Sequence, residues 1–230
     1  MSGAAARRRF DGLIFDMGDI FLDVTAWRRA LAEDLRASGV DTGYPELVAR
    51  WEKELDPVYR GNKPYWAAFS DLLRGFGVGA EEAALTERAR ERAANPAPRR
   101  LFDGVAATLE ELHRRGVELC VLSDTESTEA KVRASLAKLG IEQHFRGVRT
   151  SFDLKAVKPE AAAFDAALAA LGLPKQRCAF VAHDLDELEG CLAYGLTAVA
   201  FNHEPGVPAD HHLTRFDELL GLVGGDGAAS

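Results

Sequence analysis

The chain has 230 residues, of which 47% are hydrophobic and 28% charged; this suits one full α/β core plus an inserted segment and is too short for two large domains. A formal net charge of -8 and a sequence pI of about 5.3 argue against nucleic acid as a partner, since phosphate-backbone binding needs a basic surface that releases counterions. No apolar stretch approaches membrane-spanning length and no apolar region follows the basic N-terminal residues, so neither a membrane nor export is expected and the expected location is cytoplasmic.

In chain order, Arg7-Arg8-Arg9 reads as part of a solvated tail, with flexible tails expected over 1–8 and 224–230. Gly12-Leu13-Ile14-Phe15-Asp16 is a short apolar run that ends abruptly in Asp16, Gly18 and Asp19, the pattern of a buried parallel strand entering a polar loop. From Thr25 to Asn95 apolar residues recur at helical spacing, through Trp27-Leu31-Leu35, Leu47-Trp51-Leu55 and Trp66-Phe69-Leu73. Asn95-Pro96-Ala97-Pro98 breaks that pattern.

Beyond it the chain alternates. Helices are predicted over Val105 to Arg115, Glu129 to Leu139, Ala161 to Leu171 and Glu187 to Tyr194; strands over Val117 to Leu122, Val148 to Thr150, Cys178 to Ala182 and Thr197 to Phe201. Gly116, Gly140, Gly172 and Gly195 stand where those helices should stop. The expectation is a Rossmann-like, doubly wound parallel sheet core over 9–24 and 96–223, with an α-helical insertion over 25–95. Cys120, Cys178 and Cys191 lie in or beside apolar runs without CxxC spacing, as buried thiols of a reducing compartment do.

Ligands of such sheets bind outside the carboxyl ends of the strands, so the residues after each apolar run are the informative ones. Those residues are Asp16; Ser123-Asp124-Thr125; Lys155 and Lys158-Pro159; and His183-Asp184 with Asp186 and Glu187. Taken singly, Ser123 could cap a helix, Lys158 could be a surface lysine, and Asp184 to Glu187 could be an acidic first helical turn.

In this order the four sets resemble the motifs of the haloacid dehalogenase (HAD) superfamily, over nearly the whole stretch from Phe10 to Asn202. Leu13-Ile14-Phe15-Asp16-Met17 is similar to its first motif, Val121-Leu122-Ser123 to its second, Lys158-Pro159 with Phe164 to its third, and Phe180-Val181 through Gly190 to its fourth. The helical insertion stands where that family has its cap, and Arg60-Gly61 followed by Phe69 resembles the cap of the small sugar-phosphate phosphatase branch. The resemblance implies a Mg²⁺-dependent phosphatase of a small phosphorylated metabolite, acting through an aspartyl-phosphate on Asp16, with Ser123, Lys158 and His183 as the other catalytic residues. Asp19, Asp124, Thr125, Arg60 and Lys63 would line the substrate, with Tyr59 and Asn62 nearby, and Asp16, the Gly18 carbonyl, Asp184 and Glu187 would hold the metal.

Two positions depart from the pattern. Gly18 stands where family phosphatases carry an acid-base aspartate, and His183 stands where they carry a metal-binding aspartate; a neutral imidazole is a poorer Mg²⁺ ligand than a carboxylate. Either Asp184 takes over, or metal binding is weakened, or His183 supplies the proton that Gly18 cannot. Two other functions therefore stand beside the phosphatase: a metal-independent hydrolase similar to the 2-haloacid dehalogenases, and a HAD-fold binding protein that has lost catalysis. A small-molecule partner is expected in each case, in a monomer or a homodimer.

Overall fold

The computed structural model describes residues 10–96 and 99–223. The Arg7-Arg8-Arg9 cluster and both expected tails lie outside the described residues. In chain order the elements are β1 (Gly12–Phe15), α1 (Ala26–Ala37), α2 (Tyr44–Tyr59), α3 (Tyr65–Gly75), α4 (Glu82–Ala94), α5 (Val105–Arg114), β2 (Glu118–Ser123), α6 (Glu129–Lys138), β3 (Gly147–Thr150), α7 (Ser151–Leu154), α8 (Ala161–Leu171), β4 (Cys178–Ala182), α9 (Leu185–Tyr194), β5 (Thr197–Phe201) and β6 (His211–Leu213).

All the strand pairings are parallel, and the order across the sheet is β3-β2-β1-β4-β5-β6. Every residue of β1, β4 and β5 is buried, as near-continuous apolar runs require when helices cover both faces. Alternate strand residues serve the two faces. Leu13, Phe15, Leu119, Val121 and Val181 pack with Val105, Leu109 and Leu136 of α5 and α6, whereas Ile14, Cys120, Leu122, Phe180 and Ala198 pack with Phe164, Leu188 and Cys191 of α8 and α9. Gly172 and Gly195 end α8 and α9 with left-handed φ of 68° and 82°, a conformation that glycine adopts without steric cost.

Helices α1 to α4 bury a separate apolar cluster, in which Leu31, Leu35, Leu47, Trp51, Leu55, Phe69 and Leu72 are among the enclosed side chains. This unit is joined to the sheet through a paired neck. The Phe102 N–H donates to the Phe21 carbonyl at 2.8 Å, and Leu22 and Leu101 form an antiparallel bridge. On the far side, Arg60 ties the end of α2 to the core through Glu160 at 2.5 Å and the Lys155 carbonyl at 3.5 Å. No described helix is long and apolar enough to cross a membrane.

The Lys158–Pro159 bond is cis, and α8 begins at Ala161 as expected, with Glu160 as its N-cap. Two local features differ from the sequence expectation. Helix α9 starts at Leu185 rather than Glu187, so Asp186 and Glu187 fall in its first turn. The short elements α7 and β6 carry too few periodic residues to register as patterns.

Candidate active site

Strand order turns back at β1, because β2 and β3 extend to one side while β4 to β6 extend to the other. Such a switch point opens a crevice at the carboxyl ends of the strands. Asp16 leaves β1 there, its N–H still donating to the Val181 carbonyl of β4 at 3.0 Å. Ser123 ends β2, two residues beyond the Val121 that pairs with Phe15. Asp16 and Ser123 are each only 7% exposed.

The Lys158 ammonium joins this pair from the loop before α8. It bonds the Asp16 carboxylate and lies 2.9 Å from Glu187 Oε1. The lysine side chain is 1% exposed. Burial alone would lower the Lys158 pKa, but Asp16, Glu187 and Asp124 outweigh it and hold the ammonium well above its ordinary range. Glu187 is pushed well above the usual carboxylate range, first by burial and then by the charges of Asp16, Asp184 and Asp124, against the pull of Lys158. Both shifts reflect one enclosed cluster in which a single ammonium faces several carboxylates. Glu187 Oε2 is buried without a hydrogen-bond partner among the described residues.

The lysine is held by its surroundings. Its backbone N–H donates to the Asp124 carboxylate at 3.1 and 3.3 Å. Burial, and then the Asp16 charge, raise Asp124 to about 6, while Lys158 and its N–H pull the other way. The next residue, Pro159, packs against α9 at Gly190, where any Cβ would overlap the proline ring. A glycine in the middle of that helix is thus explained by close approach of the lysine loop.

Other residues named from the sequence have separate engagements. Asp19, at φ 53°, accepts the Val24 N–H at 3.1 Å, and its carbonyl accepts from Asn202 Nδ2 at 2.8 Å; burial raises its pKa. The Thr125 hydroxyl accepts the Ser127 N–H at 3.2 Å, and the Thr125 N–H donates to Ser151 Oγ at 3.0 Å. Lys63 bridges Glu54 and Asp71 within the insertion, at 2.5 and 2.7 Å, and Arg60 is held by Asp56 and Glu160. Neither cation bonds Asp16, Ser123 or Lys158 among the described residues, although Arg60 is near enough to Asp124 to lower its pKa.

His183 follows β4, with its Nδ1 3.5 Å from Asp184 Oδ1. The Asp184 side chain is 53% exposed; burial, and then the Asp184 charge, raise the pKa of Glu52 of α2. Glu52 and Arg28 of the insertion were absent from the sequence reading; on amphipathic helices they look like ordinary solvated charges.

The side chains expected for Mg²⁺ are engaged with other groups of the protein. Among the described residues no group of three or more His, Cys, Asp or Glu converges in metal-holding geometry. The Asp16 and Glu187 oxygens share an ammonium, and Asp184 is turned towards His183.

Residues 10–195 match the family model of the haloacid dehalogenase-like hydrolases. The chain belongs to that family. This haloacid dehalogenase-like hydrolase is 26% identical over 203 residues to a phosphoglycolate phosphatase of Photorhabdus laumondii, covering 85% of this chain and 84% of that one. It is 32% identical over 165 residues to the tyrosine-protein kinase PtkA of Mycobacterium tuberculosis, covering 67% of this chain but only 56% of the kinase, so it spans little more than half of that relative. In fold it is similar to the L-2-haloacid dehalogenase of Xanthobacter autotrophicus, with a TM-score of 0.65, 15% identity, and 93% and 98% of the two chains covered.

Proposed function

We propose that this hydrolase cleaves a small phosphate monoester through a covalent intermediate on Asp16. The observation that carries the reading is the enclosed Lys158 ammonium shared by Asp16 and Glu187, because a carboxylate that attacks a negatively charged phosphoryl group needs a cation beside it. The Asp16 carboxylate attacks phosphorus and the ester oxygen departs; water then attacks the same phosphorus, releasing inorganic phosphate and restoring the carboxylate. Lys158 and the Ser123 hydroxyl receive the phosphoryl oxygens. The proton for the departing oxygen, which Gly18 cannot give, is assigned to His183, a residue type that exchanges protons near neutral pH. The helical insertion closes over this crevice as a cap. Similarity along most of its length to a phosphoglycolate phosphatase supports phosphate-ester chemistry.

Asp16→Asn is expected to lower turnover at least about 1,000-fold in a protein that circular dichroism shows to be folded; an active variant would remove Asp16 from the reaction. Lys158 occupies the Asp16 and Glu187 oxygens, so exhaustive chelation should change turnover by less than about threefold. A larger loss that Mg²⁺ reverses would overturn that part of the reading.

One observation favours a second reading. The unassembled metal site suits attack on carbon, as in the 2-haloacid dehalogenases that this chain resembles. Against it, that group carries a tyrosine where Phe164 stands, and Phe164 is fully buried, stacked on Tyr194 and edge-on to Phe180. Halide release from a 2-haloacid, with no phosphate release from a broad ester panel, would decide for the second reading.

A further inference from the structure

Between Asp16 and the helical insertion the chain folds back on itself. The Phe21 N–H donates to the Met17 carbonyl at 3.2 Å, the Asp19 N–H to the Leu22 carbonyl at 2.9 Å, and the Val24 N–H to Asp19 Oδ1 at 3.1 Å. Both partners of each bond lie within residues 17–24, so these bonds give the loop its shape without tying it to the sheet. Hydrogen bonds from the sheet's side hold it at two points. The Asp16 N–H donates to the Val181 carbonyl at 3.0 Å, and three residues on the Asp19 carbonyl accepts from Asn202 Nδ2 at 2.8 Å. A carbonyl only accepts, so the Asn202 amide nitrogen is the donor. Beyond Asp19 the chain enters the neck, where Ile20, Phe21 and Leu22 are packed into the core and the Phe21 carbonyl meets the Phe102 N–H.

Asn202 makes this bond from the end of β5, with β4 standing between β5 and β1 in the sheet. Both of its ends have left-handed backbone, φ 51° at Asn202 and 53° at Asp19, a conformation that most side chains disfavour and that Asn and Asp tolerate best. Asn202 is itself exposed, so the hydrogen bond, and not packing, holds its side chain. Two unfavourable backbone conformations kept for one contact beside a reacting group mark a functional constraint. We infer that Asn202 is a positioning residue for Asp16: by fixing the carbonyl three residues after the nucleophile, it keeps the carboxylate aimed into the crevice while the insertion bears on the same loop through the neck. The inference rests on the reading that Asp16 is the reacting residue. A displacement of the insertion enters the loop at Phe21 and meets the Asn202 anchor before it reaches Asp16. Loss of the anchor shifts the attacking oxygen, and a shift of about 1 Å costs up to roughly 100-fold in rate. Lys158 and Ser123, which would receive the phosphoryl oxygens, lie on other segments, so the loss falls on kcat and leaves KM in place.

Two variants of the whole protein separate the hydrogen bond from the backbone. Asn202→Gly accepts the left-handed conformation without a side chain, and Asn202→Asp keeps the shape but puts an oxygen where the donor was. With p-nitrophenyl phosphate as substrate, both should lower kcat about 10- to 100-fold and change KM by less than about threefold. Amide hydrogen exchange read by mass spectrometry should become faster over residues 17–24 and stay unchanged over β2 and β3. Should Asn202→Asp fail to fold, Asn202→Gly alone decides. A lowered unfolding midpoint with kcat unchanged would make the bond merely structural and overturn the inference, as would a loss confined to KM or unchanged exchange over residues 17–24. Faster exchange there in a protein whose wild type turns over no phosphate ester would uphold the anchor while removing the phosphatase reading; wild-type turnover that both variants keep in full would do the reverse.

Discussion

The Lys158 ammonium answers two carboxylates that reach it from β1 and α9, and each depends on it differently. Removing one partner of an enclosed ion pair leaves the other charge uncompensated. Lys158→Met, close in size and without charge, is therefore expected to cost about 3–5 kcal/mol in urea unfolding as well as turnover. Retained stability would mean that the carboxylates take up protons without penalty. Asp124 contributes to the pH dependence alongside Glu187, whose pKa is also raised. The Asp124 pKa of about 6 in the folded chain, against an ordinary value of 3.8, means that the folded state holds the proton more tightly than the unfolded state. Stability from this group is complete at about pH 4 and is lost as pH rises towards 6, by at most about 3 kcal/mol. Unfolding measured between pH 4 and 7 should show that decline, and Asp124→Asn should make it shallower. Residue identity at the strand ends was legible because apolar runs stop sharply at Asp16, Ser123 and His183. The partners of charged residues were not: nothing in a linear pattern says that Lys63 is taken by Glu54 and Asp71.

At the scale of elements, the buried strands announced themselves because each is apolar throughout, and glycines marked where α8 and α9 stop. The misjudged start of α9 has a physical reason. Asp184, Leu185 and Asp186 look like loop residues, yet acidic groups in a first turn are favoured by the helix dipole. The edge strand β6, with two histidines and only Leu213 buried, lacks the alternation that betrays a strand. The contact of Pro159 with Gly190 couples two elements that the sequence treats separately. Gly190→Ala should raise helix propensity by about 1 kcal/mol but force the proline loop away, for a net loss of roughly 1–3 kcal/mol. Because Lys158 precedes that proline, turnover should fall as well; an alanine variant that is more stable and equally active would show that the loop yields freely.

At the scale of the whole molecule, an anionic substrate must approach a chain of net charge -8, so the long-range field opposes encounter while local cations favour capture. Raising salt from 0.01 to 0.15 M shortens the screening length from roughly 30 to 8 Å. The kcat/KM for a dianionic ester should then rise, by roughly twofold; a fall would mean that cations dominate the approach. The two-part organisation was legible as a change of hydrophobic period near Thr25 and near Pro96. How the parts meet was not, since the Arg60 clasp and the hydrogen bond between Phe21 and Phe102 join residues far apart in the chain.

That hydrogen bond has a consequence for how such a molecule can be remade. Where the chain departs for the helices and where it comes back are stitched side by side, so the sheet meets its guest as it would meet one surface turn. A different set of helices spliced in at the same place would add little loop-closure entropy. One unaltered catalytic base could thus be refitted with many lids.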